Sequence, residues 1–268
     1  MTSALPEEKP LVIPRLQVRL PRIGGRVTGG GPDAGVSADD GTTPTFSDHG
    51  GPVLDHAQLQ LIFWGGAWDG AATPAAAEVT DAARAILGSP YMSGLAEYRG
   101  IGPAALHGSF VAAGSDPPQL FSNDQVAMFL KGLIQARTVP EPDEVSQLVY
   151  VVVMPPGVTY QDQSVIGEHS YFWYWDVDLL LGFEVARAHY AWVTSDGTLD
   201  TVTTILSHEL VEVVTDPEGS GVTGSSCSAA GWCEIGDVCE SSTGSVGGVI
   251  VQSYWSELAS ACVIPGAP

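Results

Sequence analysis

Apolar positions become regular only from Leu54 onward, and they alternate between short continuous runs and helical spacing. Residues 59–64 (LQLIFW) form an apolar run closed by Gly65 and Gly66, which predicts a buried strand. Thr73 and Pro74 then predict a helix, with Thr73 as cap and Pro74 in the first turn, running to a stop at Gly88. A second short helix is predicted over 90–98, a strand over 106–113, and a helix from the Ser122-Asn123 cap to about Arg137. The most continuous apolar run, 147–154 (QLVYVVVM), reads as a central strand ended by Pro155 and Pro156. Extended stretches follow over 170–175 and 182–193. A helix then starts near Asp200 and stops at Thr215-Asp216-Pro217, and one further strand is predicted over 249–255.

This order predicts an α/β fold: one zincin-like domain over 51–268, a mixed β-sheet with packed helices, and a loop-rich, cysteine-bearing part over 218–268. Residues 1–50 read as a flexible N-terminal tail. Within it, 11–20 carry a possible short strand, and 24–51 are rich in Gly, Asp, Ser and Thr.

Composition narrows the function classes. The 268 residues carry 31 acids against 10 bases, a formal charge of −21, yet charged residues are only 15% of the chain. About 25% is usual, so bases are scarce rather than acids abundant. Half of the bases (Lys9, Arg15, Arg19, Arg22 and Arg26) lie in the predicted tail. Nucleic acid and anionic membrane surfaces are poor partners for such a chain. No stretch has the roughly 20 apolar residues of a spanning helix. The N-terminus lacks the apolar core of a signal peptide, which leaves a cytoplasmic location open. Against that, Cys227, Cys233, Cys239 and Cys262 are clustered near the C-terminus and predict two disulfides, hence an extracellular location. A structural zinc site is the rival, but their spacing lacks the short Cys-x2–4-Cys knuckle.

The polar chemistry is concentrated in one predicted helix, ILSHELVEVVTDP from Ile205. His208 and Glu212 are four apart and share a face, while Val202, Ile205, Leu206, Leu210, Val213 and Val214 cover the other side. This matches H-E-x-x-H zinc hydrolases, with Glu212 in place of the second histidine and Glu209 as general base. Short H-E-x-x-E strings also occur on solvated helix faces. From Glu209 to Glu240, however, seven acids occur without one Lys or Arg: Glu209, Glu212, Asp216, Glu218, Glu234, Asp237 and Glu240. A cation among converging carboxylates would relieve their repulsion. Glu234, Asp237 or His169 is expected as third ligand. His169 is otherwise a histidine hydrogen-bonded within the aromatic stretch 172–175, and His189, alternating with Arg187, reads as a surface residue. No G-x-S-x-G elbow, P-loop or dinucleotide fingerprint is present.

The segments SHELVEVVTDP, EIGDVCE and VQSYWSELASACV resemble the exordium/phosphate-induced-protein-1-like family and its bacterial relatives. LQLIFWGGAW, GEHSYF and HYAWV resemble its upstream blocks, so the likeness runs from Leu54 to Cys262. It implies a secreted protein, linked in plants to cell-wall and growth responses. It also implies one site formed by His208, Glu209, Glu212, Asp216, Glu234 and Asp237, joined by His169. The plant members carry a signal peptide and extra cysteines around the Gly-x-His block, and both are absent here.

The function expected from the sequence is a Zn²⁺-dependent hydrolase, foremost a peptidase, acting on a peptide or cell-wall substrate. The alternative is a non-catalytic extracellular or cell-surface protein whose acids hold a structural cation. Calcium would take about six to eight oxygen ligands and leave His208 aside, whereas zinc would use His208 among about four ligands.

Overall fold

The structure is a computed structural model that describes residues 18–19, 44–70, 72–142, 145, 147–178, 182–224, 234–240 and 242–267. In chain order its strands and helices are β1 (Val18–Arg19), β2 (Phe46–Asp48), β3 (Gln58–Trp64), α1 (Ala76–Leu87), β4 (Ala105–Ala112) and β5 (Leu120–Phe121). Next come α2 (Asn123–Gln135), β6 (Leu148–Val153), β7 (Thr159–Tyr160), β8 (Val165–Asp178), β9 (Gly182–Val193) and α3 (Leu199–Thr215). The C-terminal part holds β10 (Val222–Gly224), β11 (Thr243–Val246), β12 (Val249–Gln252), β13 (Tyr254–Ser256) and β14 (Ala261–Val263).

The main sheet runs β1-β8-β9-β6-β3-β4. Strands β4, β3, β6 and β9 are mutually parallel, while β8 pairs antiparallel with both β9 and β1. The sheet is therefore mixed, as expected. Burial on both faces explains the unbroken apolar run of β6, in which every residue is buried. Side chains of the central strands alternate between two cores. Leu59, Leu61, Phe63, Val149, Val151 and Val153 face α1, α3 and the C-terminal strands, whereas Ile62, Trp64, Tyr150 and Val152 face α2.

Local chemistry sets most helix ends, with one correction. Ser122 caps α2, and Gln125 returns a hydrogen bond to the Ser122 N–H, a reciprocal cap that the sequence placed correctly. The cap of α1 is not Thr73 but Ala75, whose N–H donates to Glu78 Oε2 at 2.8 Å. Residues 90–97 form a 3-10 helix capped by Ser89.

Two further boundaries moved. Phe46–Asp48, placed in the tail by composition, pairs antiparallel with Val222–Gly224 just beyond α3. The predicted strand 249–255 is two strands, broken at Ser253. Its first half pairs with β11 across Gly247 and Gly248, whose φ values of 59° and 83° build a two-residue hairpin turn. The strand expected within 11–20 is present at Val18–Arg19; the rest of that stretch lies outside the described residues.

Candidate metal centre

Helix α3 places the H-E-x-x-E residues, and its burial is unusual for so polar a segment. Thr198 caps it, accepting from Thr201 N–H, and Asp196 accepts from the hydroxyls of both threonines. Its C-terminal end is set by Asp216, whose φ of −146° and ψ of 61° leave the helix just before Pro217. From Ile205 to Thr215 every residue is buried, because α3 lies between the β8–β9 face of the sheet, α1 and β12. His208, Glu209 and Glu212 are thus held out of water, where an uncompensated charge is costly.

Two groups of potential metal ligands meet at Glu212. In the first, His208 Nε2 lies 3.1 Å from Glu212 Oε1 and 3.8 Å from Asp237 Oδ1. Both His208 Nε2 and Glu212 Oε1 are buried, and beyond the ion-pair contact between them neither has a hydrogen-bond partner. Two ligand atoms each about 2.0 Å from a tetrahedral zinc would stand about 3.3 Å apart, so this spacing suits donors around a shared ion. The opposite ring nitrogen, Nδ1, meets the Gln252 side-chain amide at 2.7 Å. Gln252 is itself fixed by its N–H to Ser207 Oγ at 2.9 Å, by its amide to Gly236 O at 2.9 Å, and by the Tyr91 hydroxyl on its carbonyl.

In the second group, His169 from β8 faces Glu209 and Glu212. Its Nδ1 lies 3.3 Å from Glu209 Oε2 and 3.9 Å from Glu212 Oε2, while Nε2 donates to the Asp216 carbonyl at 3.2 Å. Glu234 Oε1 is 3.5 Å from the same Nε2. Asp216 and Glu234 border the two groups. Asp216 Oδ1 accepts from Gly221 N–H at 2.6 Å, and Glu234 N–H donates to Asp237 Oδ2 at 3.0 Å.

The 234–237 turn approaches the helix closely because position 236 has no side chain. A Cβ on Gly236 would stand 2.7 Å from Glu212 Oε1 and 3.1 Å from His208 Nδ1. The turn is held by Trp255 N–H on Ile235 O and by a disulfide between Cys239 and Cys262 on β14. Cys227 and Cys233 lie outside the described residues.

Burial and crowding of charge act together on proton affinity. Burial alone would lower both histidines, but the charges of Glu212, Glu209 and Asp237 prevail at His208 and push its pKa up to about 10. At His169, burial is likewise outweighed, by the Glu209 hydrogen bond and by the charges of Glu209, Glu212 and Asp216, and the net shift is upward. Burial also raises Glu209 and Asp216, and it raises Glu234 and Asp237 well above the usual carboxylate range, with Glu212 adding to each. The crowding therefore favours the protonated forms of these groups, whose arrangement could also hold a metal ion.

Every site residue expected from sequence lies in this centre: His169, His208, Glu209, Glu212, Asp216, Glu234 and Asp237. The structure divides them in a way spacing could not. Asp237 joins His208 and Glu212, whereas Glu209 is turned toward His169. His169 is among carboxylates rather than in the aromatic core. His189 is nearly buried, not a surface residue, with Nε2 3.2 Å from Glu218 Oε1, which also pairs with Arg187. Gln252 was missed altogether; a lone amide in VIVQSYW carries no local signal.

Among the described residues no helix is long and apolar enough to cross a membrane. The chain matches no protein-family model, no curated protein and no solved structure.

Proposed function

We propose that this chain is a zinc-dependent hydrolase, acting foremost on peptide bonds, whose metal is held by His208, Glu212 and Asp237. The supporting observation is the buried pair of atoms His208 Nε2 and Glu212 Oε1, 3.1 Å apart, with no hydrogen-bond partner outside that contact and with Asp237 beside them. An imidazole in the donor set favours zinc over calcium. When bound, zinc supplies a Lewis acid that polarises a carbonyl and activates water. Asp237, whose side chain is 23% exposed, marks the side from which a substrate enters. The Glu209–His169 pair is the adjacent group that takes a proton. The Cys239–Cys262 disulfide supports an oxidising, extracellular setting.

A structural cation is the second reading, favoured by the near-complete burial of His169, His208, Glu209 and Glu212. Metal analysis and hydrolysis of a peptide library, on the wild type, His208→Ala and Glu209→Gln, separate the two. The tightly held zinc lost in His208→Ala but kept in Glu209→Gln, with hydrolysis lost in both variants, supports the hydrolase. Zinc without hydrolysis of peptides or cell-wall polymers in the wild type supports the structural cation. A metal-free wild type whose fold is indifferent to chelators removes both.

A further inference from the structure

The Glu212 carboxylate is shared between two clusters that lie on opposite sides of it. Its Oε1 faces His208, and its Oε2 faces His169. The His169 side has the arrangement expected around an ion. The Nε2–H of His169 is committed to the Asp216 carbonyl, the kind of bond that fixes a ligand histidine's tautomer, while its other nitrogen shares a proton with Glu209 Oε2 that an ion would displace. That nitrogen, Nδ1, points at Glu209 Oε2 and Glu212 Oε2. Asp216 Oδ2, on a residue with no exposed surface beside this group, is a further oxygen without a hydrogen-bond partner. Charge points the same way. Glu209, Glu212, Asp216, Glu234 and Asp237 bring five carboxylates together; one divalent cation offsets two of their charges and a second offsets four.

From this geometry we infer a second divalent-cation site, formed by His169 Nδ1, Glu209 and Glu212, in which Glu212 bridges it to the ion at His208 and Asp237. The inference rests on the proposed metal centre and deepens it. Bridged pairs of this kind hold their ions roughly 3.5–4 Å apart. Because the second site uses the Glu209–His169 pair, an ion there takes the place of the proton on that pair, which acts as proton acceptor only while the second site is empty. The second ion also sits beside the first, so repulsion makes it the weaker of the two.

The test is equilibrium dialysis of the full chain against Zn²⁺, with zinc counted per chain, and the same with Mn²⁺ read by electron paramagnetic resonance. The expected result is two equivalents in the wild type, one in His169→Ala and one in Glu209→Gln, together with a spin-coupled Mn²⁺ pair. The coupling is read on the wild type, so it stands even where a variant fails to fold. A single equivalent, or uncoupled Mn²⁺ throughout, overturns the second site. If that single equivalent is lost in His208→Ala, the proposed function survives. No bound metal at all overturns both.

Discussion

Glu168 and His169 are neighbours on β8, both with no exposed surface, yet they face opposite sides of the sheet and opposite kinds of chemistry. On the α2 side, the Asn123 amide donates to the Glu168 carboxylate and accepts the Trp192 indole N–H at 2.9 Å. Around them stand Val126, Phe172, Tyr190 and Trp192, so one acid is embedded in an apolar and aromatic core. On the α3 side, His169 meets several acids, and the atoms of His208, Glu209 and Glu212 left without hydrogen bonds lie there. A single buried acid can be matched by neutral hydrogen-bond donors, as Glu168 is by Asn123. A cluster of five needs positive charge, and the chain supplies no Lys or Arg between Glu209 and Glu240.

The sharpest way to break this contrast is to alter each side singly. His208→Ala should remove the more tightly held of the two ions, measured by elemental analysis after dialysis. Glu168→Gln should leave metal content unchanged and cost about 1–3 kcal/mol of stability by setting two amides against each other. Metal loss in Glu168→Gln would mean that the faces are not independent.

Next in size is the link that carries Asp237 to the helix. Replacing both Cys239 and Cys262 by Ser opens a loop with a sequence separation of 23 residues. Urea unfolding should show a loss of about 3 kcal/mol. Metal affinity should fall too, because the 234–237 turn is released, whereas an equally destabilising change at Asn123 should spare it. Smaller again is Gln252→Ala, which removes the amide that orients His208. The expected result is a change in metal affinity with the fold retained, measured by competition with a chromogenic chelator. An unchanged affinity would make Gln252 a packing residue only.

The smallest expected effect is in pH dependence, and its sign is specific. His208 is raised from an ordinary 6.5 to about 10 in the folded, metal-free chain. The stabilisation it brings is present in full below pH 6.5 and lost as pH climbs toward 10. The raised carboxylates act in the same direction, since the folded state also holds their protons more tightly. Melting of the metal-free protein should therefore decline by about a few degrees from pH 6.5 upward. Added zinc competes with those protons, so the rise in melting temperature that it produces should grow with pH. A metal-free melting temperature that increases over this range would contradict the crowding described on the α3 side.

The two sides also differ in how far they could be read from sequence. The apolar runs of β3 and β6 and the caps and stops of α2 and α3 are local signals, and they placed those elements to within a residue or two. The i, i+4 spacing of His208 and Glu212 is equally local. Contacts between distant segments were legible only in part: the convergence of His169, Glu234 and Asp237 on α3 was expected, but not which group each would face. Nothing in GEHSYF states that His169 meets Glu209 or that Glu168 turns to Asn123. Nor does a polar stretch such as FSD announce that it pairs with the segment after α3. Gln252 shows the limit most clearly, since its role depends on three partners far from it in the chain.

The central claim is that a metal ion belongs among the nitrogen and oxygen donors of the α3 face. X-ray absorption at the zinc edge tests it directly on the zinc-loaded full chain. The account predicts a shell of nitrogen and oxygen at about 2.0–2.2 Å with imidazole scattering, reduced in His208→Ala and removed when His169 is replaced as well. A sulfur shell at about 2.3 Å, or an imidazole signal undiminished when both His208 and His169 are replaced by Ala, would contradict it.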